Sequence, residues 1–154
     1  MTTIRPALPA DVPAMSQLLI ASITTLCHAD HQGDPDAIAA WTANKTPATI
    51  AGWVADPGRA VFVAERDGTL SAVGMLTASD EVGLNYVAPT HRFSGVSKAM
   101  LVALEAEMRR RGATIGRLTS TRTAHDFYLA SGWVDAGDPQ PCYSVSGTPM
   151  TKVL

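Results

Sequence analysis

The residue types best suited to chemistry gather in one loop, Ala88-Pro89-Thr90-His91-Arg92-Phe93-Ser94-Gly95-Val96-Ser97-Lys98, which lies between an apolar run ending at Val87 and a long helical pattern. The first backbone N–H groups of a helix lack intrahelical partners and carry partial positive charge, so a loop of small residues entering a helix suits an anionic ligand. Here residues 94, 95 and 97 are small, and Arg92 and Lys98 add cations. The glycines of a P-loop or a dinucleotide fingerprint are absent, and a single glycine before a helix is also compatible with a plain turn. Other polar groups are dispersed. His28 and His31 stand three apart without a carboxylate at matching helical spacing, so no metal is expected. Cys27 and Cys142 form neither a disulfide framework nor a metal-binding pair by spacing, and read as free thiols.

The elements that must position this loop follow from hydrophobic period and punctuation. Thr3 to Arg5 reads as a first strand, and Asp11 as the cap of a helix carrying Val12, Met15, Leu18, Leu19, Ile23 and Leu26. A polar stretch from His28 to Gly33 follows. Asp34-Pro35 and Thr46-Pro47 each place a capping residue before a proline, predicting two short helices around Trp41 and Trp53, whose indoles read better as core than as aromatic platforms. Val61 to Ala64, Asp67-Gly68 and Leu70 to Thr77 predict a β-hairpin. Glu81 to Val87 is a further strand, with Asp80-Glu81 readable as a polar turn before it. A helix runs from about Gly95 to Arg111 with Gly112 as its left-handed cap, and Arg109 to Arg111 complement its dipole. A strand at Ile115 to Thr119, a helix at Ala124 to Ala130, and closing strands at Trp133-Val134 and Met150 to Leu154 complete one α/β domain over residues 1–154.

Composition narrows the setting. A chain of 154 residues with 46% hydrophobic residues can fill one core. A formal charge of −2 supplies no field for nucleic acid, no apolar run is long enough to span a membrane, and the first residues lack the order of a secretory signal, so a cytoplasmic protein is expected.

Glu81-Val82-Gly83-Leu84-Asn85-Tyr86-Val87-Ala88-Pro89, followed by Arg92-Phe93-Ser94-Gly95-Val96-Ser97, resembles the central motif of the Gcn5-related N-acetyltransferases. In that family Gln or Arg, two residues, Gly, one residue, and Gly or Ala cradle the CoA pyrophosphate. Arg92 and Gly95 match, Ser97 departs from Gly or Ala, and Phe93 sits where many members have another glycine. Ala124-His125-Asp126-Phe127-Tyr128-Leu129-Ala130-Ser131-Gly132-Trp133 is similar to a second family segment, Ala-x-x-Phe-Tyr-x-x-x-Gly-Phe, while Thr121 replaces a frequent asparagine. The resemblance covers nearly the whole chain. It implies a mixed, strongly twisted, mostly antiparallel sheet splayed between its fourth and fifth strands, with flanking helices and the pantetheine arm in the opening.

The resemblance further implies that Tyr86, Val87, Arg92, Phe93, Ser94, Gly95, Val96, Ser97, Lys98 and Thr121 bind acetyl-CoA, the co-substrate, with no metal. A main-chain N–H near Val87 would stabilise the oxyanion, Tyr128 would hydrogen-bond the departing thiolate, and Glu81, eleven residues before Arg92, is the candidate base for the amine. Many small-molecule members instead lose that proton through water. The N-terminal helices wall the acceptor site in this family, which directs attention to His28, Asp30, His31 and Trp41; Lys45 is expected in solvent, and Tyr86 and Tyr143 can line the cleft or pack across strands. The implied reaction is acetyl transfer to a small-molecule amine. A protein acetyltransferase and a non-catalytic acyl-CoA sensor are the alternatives, and dimers are common in the family.

Overall fold

The computed structural model describes residues 1–142 and 144–154 of the chain, so Tyr143 lies outside the described residues. Asp67 and Gly68 both adopt positive φ, 53° and 76°, the conformation that a two-residue hairpin requires. They join β2 (Ala60–Arg66) to β3 (Thr69–Leu76) in the register Val63↔Val73. β1 (Thr2–Pro6) pairs antiparallel with β2, and β4 (Glu81–Val87) antiparallel with β3. β4 then meets β5 (Ile115–Ser120) in parallel, the one parallel pair among the described strands. Beyond β5 lie β8 (Val145–Val153) and β6 (Val134–Asp135), and β7 (Gln140–Cys142) pairs with the start of β8.

Among the described residues six α-helices accompany the sheet: α1 (Val12–Leu26), α2 (His28–His31), α3 (Pro35–Thr42), α4 (Pro47–Ala55), α5 (Val96–Arg110) and α6 (Arg122–Ala130). Alternation along β2 and β3 sends Val61, Val63, Val73 and Met75 to the face packed by Met15, Leu18 and Leu19 of α1 and Ile50 of α4. Ala64, Ala72 and Leu76 go to the opposite face, against Met100, Leu101, Leu104 and Met108 of α5. α5 lies close to the sheet because β3 has Gly74 beneath it; a Cβ there would stand 2.5 Å from Met100 Sδ. The helix stops as its sequence predicts. Gly112 takes φ 89°, its N–H donates to Arg109 O, and Ala113 N–H donates to Met108 O, the paired bonds of a Schellman terminus.

Several local expectations change in detail. The carboxylate of Asp11 turns away from α1 and accepts from Leu8 N–H and from Arg5, at 2.8 and 3.0 Å. The polar stretch after α1 forms the single turn α2, α6 begins two residues earlier than its apolar pattern, and the last strand is nine residues long and carries β7 on its edge. Among the described residues no helix is long and apolar enough to cross a membrane.

Candidate active site

β4 and β5 run side by side only at their first residues. Their ladder consists of Glu81↔Arg117 and Val82↔Leu118, after which the strands part. The other edge of β4 stays paired with β3 as far as Ala72↔Val87. Ala88 N–H donates to Ser71 O at 2.8 Å, so the alternation of an antiparallel ladder turns the main-chain groups of Asn85 and Val87 toward the gap. The gap opens into a cleft of about 460 Å³, walled by β4, the end of α1, the loop before α5 and the first turns of α6.

The N-terminus of α5 forms one end of this cleft. Gly95 is the N-cap at φ 82° and offers no side chain to the N–H groups that follow. Intrahelical bonding begins at Ala99, whose N–H donates to Gly95 O. Val96, Ser97 and Lys98 line the cleft with their first-turn N–H groups uncapped, a cradle for an anion. A Cβ on Gly95 would meet nothing within 4 Å, so glycine serves the left-handed backbone here and the approach to the N–H groups is open. Two residues earlier Phe93 holds φ 63°, a conformation that costs a non-glycine residue about 1–2 kcal/mol. Its ring is almost fully exposed, with the Arg92 guanidinium over one face.

Across the cleft, α6 presents Tyr128. The ring is buried edge-on against Phe127 and Trp133, with centroids 5.2 and 6.1 Å away. Its hydroxyl oxygen accepts from Asn85 Nδ2 at 3.4 Å, which leaves the hydroxyl hydrogen available to another acceptor. Burial pushes its pKa up to about 12, against a smaller lowering by the Asn85 bond. Tyr128 is therefore a proton-bearing donor throughout the ordinary working range. Cys27, on the α1 side, also lines the cleft, its thiol pushed up to about 12 by burial first and by Asp30 second. Neither Asn85 nor Cys27 carries a sequence signal for this placement. Asn85 becomes visible only once β4 is known to splay from β5.

A family model, Acetyltransferase (GNAT) domain, matches residues 28–154. The chain belongs to the GNAT acetyltransferase family. Among solved structures it is similar to a GCN5-related N-acetyltransferase, "Aminotransferase, Class-II", from Rhodopseudomonas palustris, with 25% identity and a TM-score of 0.89 over 100% of this chain and 96% of that one. The PaiA N-acetyltransferase of Thermoplasma acidophilum in complex with coenzyme A shares the fold at 16% identity, with a TM-score of 0.84 over 100% and 99% of the two chains. So does the ribosomal-protein-alanine N-acetyltransferase of Brucella melitensis, at 21% identity and a TM-score of 0.75 over 99% of each. The comparison with curated proteins gives no match. The mixed sheet and its splay are thus those of the GNAT fold that the two sequence motifs implied.

Within this GNAT domain the structure gathers Tyr86, Val87, Arg92, Phe93, Ser94, Gly95, Val96, Ser97, Lys98, Thr121 and Tyr128 around one cleft. It places four other residues of the sequence reading elsewhere. Glu81 is exposed at the first residue of β4, at the closed end of the splay, and does not line the cleft. Trp41 is 1% exposed and packs with Ile23 and Cys27, as a core residue. His31 is buried; Gly33 N–H donates to its Nδ1 at 2.9 Å, which fixes the ring proton on Nε2, and Nε2 donates to Ile23 O at 2.8 Å. With both nitrogens engaged, His31 braces α2. His28 is exposed with its ring edge against His31, outside the cleft.

Lys45, expected in solvent, is buried, and burial lowers its pKa to about 8. Its ammonium donates to Asn44 Oδ1 at 2.6 Å. Asp30 has a role that spacing did not suggest. Its carboxylate accepts from Arg122 N–H at 2.7 Å, Thr123 N–H at 3.1 Å and Thr123 Oγ1 at 2.5 Å, binding α2 to the first turn of α6. The Thr121 hydroxyl accepts from Ala124 N–H at 3.2 Å, so its first duty is to cap α6, although it also reaches the cleft wall. Among the described residues no group of three or more His, Cys, Asp or Glu side chains is arranged to hold a metal ion.

Proposed function

We propose that this GNAT domain transfers an acetyl group from acetyl-CoA to the primary amine of a small molecule. The observation that carries the reading is the alignment, along one cleft, of an uncapped helix N-terminus, an unpaired strand edge and a buried tyrosine hydroxyl. Each meets a different need of acyl transfer. The N–H groups of Val96, Ser97 and Lys98 suit a pyrophosphate, with the cations of Arg92 and Lys98 beside them. The open edge of β4 suits an amide-bearing arm, and an N–H at Asn85 or Val87 donates to the acyl oxygen as charge grows there, without reorganising. Bound acetyl-CoA supplies an activated thioester.

Tyr128 holds its proton and directs it to the departing sulfur. Against a thiol of ordinary pKa near 8.5, full transfer from a phenol raised to about 12 would be uphill by about 5 kcal/mol. The hydroxyl therefore acts as a hydrogen-bond donor to the thiolate. No carboxylate is among the described residues that line the cleft, which supports loss of the amine's proton to water, as in many small-molecule members of the family. The N-terminal wall is braced, because Asp30 ties α2 to α6 and Ser144 Oγ donates to Ala37 O of α3 at 2.6 Å, which supports a preformed pocket of the kind that takes a small acceptor. An acceptor panel with acetyl-CoA, followed by release of free thiol, tests the reading. Turnover with small primary amines is expected; turnover with peptide substrates alone, or CoA binding with no turnover, would overturn it.

A further inference from the structure

Phe93 lines the cleft, but its ring has no part yet assigned to it. The residue is 92% exposed, the one aromatic among the large hydrophobics left in water in the described residues. It sits in a left-handed conformation that glycine or asparagine would hold with less strain. It also lines the cleft beside the N–H cradle of α5, and Arg92 Cζ stands 4.7 Å from its centroid, covering one face. The other face is a flat apolar surface in the cleft that the phosphate cradle, Arg92 and Lys98 also line. An aromatic face among cations is the chemistry that takes a nucleobase and its phosphates.

We propose that Phe93 is the stacking platform for the adenine of the acyl-CoA, in an Arg92–Phe93–adenine stack. This inference rests on the acyl-CoA reading above, since the exposed ring lines the same cleft as the first-turn N–H groups of α5. It assigns the side chain to the adenosine alone, and leaves the pantetheine arm and the reaction untouched.

The test compares CoA with 4′-phosphopantetheine, which lacks the adenosine together with the 3′-phosphate and one phosphate of the pyrophosphate, by calorimetric titration of the intact chain. Phe93→Asn removes the ring while keeping a residue that tolerates the left-handed backbone, and Phe93→Tyr restores the ring. Base stacking of ordinary strength predicts CoA binding weaker by on the order of 10-fold in Phe93→Asn, near-native in Phe93→Tyr, and 4′-phosphopantetheine binding unchanged in both. Equal losses for both ligands would make Phe93 a determinant of loop shape and overturn the proposal. So would unchanged CoA affinity, including the case in which Phe93→Asn alters the oligomeric state on gel filtration. Failure of the unmodified chain to bind CoA would overturn the acyl-CoA reading itself, which keeps the two failures distinct.

Discussion

Two helix N-termini open toward the same cleft and are finished in opposite ways. At α6, Thr121 caps Ala124 N–H and the Asp30 carboxylate takes the N–H groups of Arg122 and Thr123. At α5, the cap is a glycine, and Val96, Ser97 and Lys98 are left without a side-chain partner at the cap. Capping groups satisfy the orphan donors that would otherwise attract an anion. One terminus is therefore closed by side chains, and the other leaves its first-turn N–H groups open to the cleft. α6 contributes through its flank, by way of Tyr128, whereas α5 contributes through its end. On the proposed function, this difference gives binding to one helix and chemistry to the other, and variants can separate the two.

The largest effect is expected at Tyr128. Tyr128→Phe keeps the ring against Phe127 and Trp133 and removes only the hydroxyl. A donor that acts on charge developing in the transition state should appear in kcat, with KM for acetyl-CoA nearly constant. A fall of about 10²-fold or more is expected, read by steady-state kinetics with a competent amine. A stable variant with unchanged kcat would remove α6 from the chemistry.

Gly95→Asp is the converse experiment, because it gives α5 the kind of terminus that α6 has. Aspartate tolerates the left-handed backbone, and no neighbour stands within 4 Å of the new Cβ. Its carboxylate would cap the first-turn N–H groups and place negative charge where the pyrophosphate approaches. Native-state protection by a ligand at 100 times its Kd is about 2.7 kcal/mol. That protection by CoA should disappear in thermal unfolding of Gly95→Asp, while the ligand-free variant loses no more than about 1–2 kcal/mol to the left-handed backbone. Persisting protection would move the anion site away from α5.

At the closed terminus the expected effect is one of stability. Asp30→Ala leaves the N–H groups of Arg122 and Thr123 without their carboxylate and unties α2 from α6. Loss of a cap of this kind costs about 1–2 kcal/mol, measurable as a lower denaturant midpoint. CoA affinity should change much less, because the α5 cradle is untouched. If Asp30→Ala weakened CoA as strongly as Gly95→Asp, the division between the two termini would fail.

The same two helices mark how far local sequence carries. The uncapped end of α5 was legible because its glycine, its apolar stripe and the family motif fall within about a dozen residues. Gly112 and the Asp67-Gly68 hairpin were legible for the same reason, each being a local backbone requirement. The cap on α6 was hidden because Asp30 reaches it from 92 positions away. The family resemblance directed attention to Trp41 and His31 as acceptor-wall residues, yet their surroundings are tertiary: Trp41 fills the space beside Ile23, and His31 satisfies Ile23 O and Gly33 N–H. Lys45 is buried for a similarly nonlocal reason, lying under the edge where Ser16 Oγ donates to its carbonyl at 2.6 Å.

The smallest effect is expected at Glu81, where the sequence reading and the structure differ most. Its offset from Arg92 matches that of a family base, but an offset along a strand says nothing about where the strand splays. β4 is still paired with β5 at Glu81 and opens only beyond Val82. The residue thus stands in solvent at the closed end, whereas Asn85, Val87 and Tyr128 line the cleft. If water takes the amine's proton, kcat/KM should rise with pH as the acceptor itself deprotonates, and this limb should move when acceptors of different amine pKa are compared. Glu81→Gln should then leave the whole profile within about 2-fold, since a change at an exposed position away from the site perturbs little. Ionisation of Tyr128 should add no falling limb until well above pH 10, because burial holds its pKa near 12. A limb fixed near the carboxylate range, independent of the acceptor and abolished by Glu81→Gln, would instead require Glu81 to reach the cleft, and the closed end of the splay would have to open during turnover.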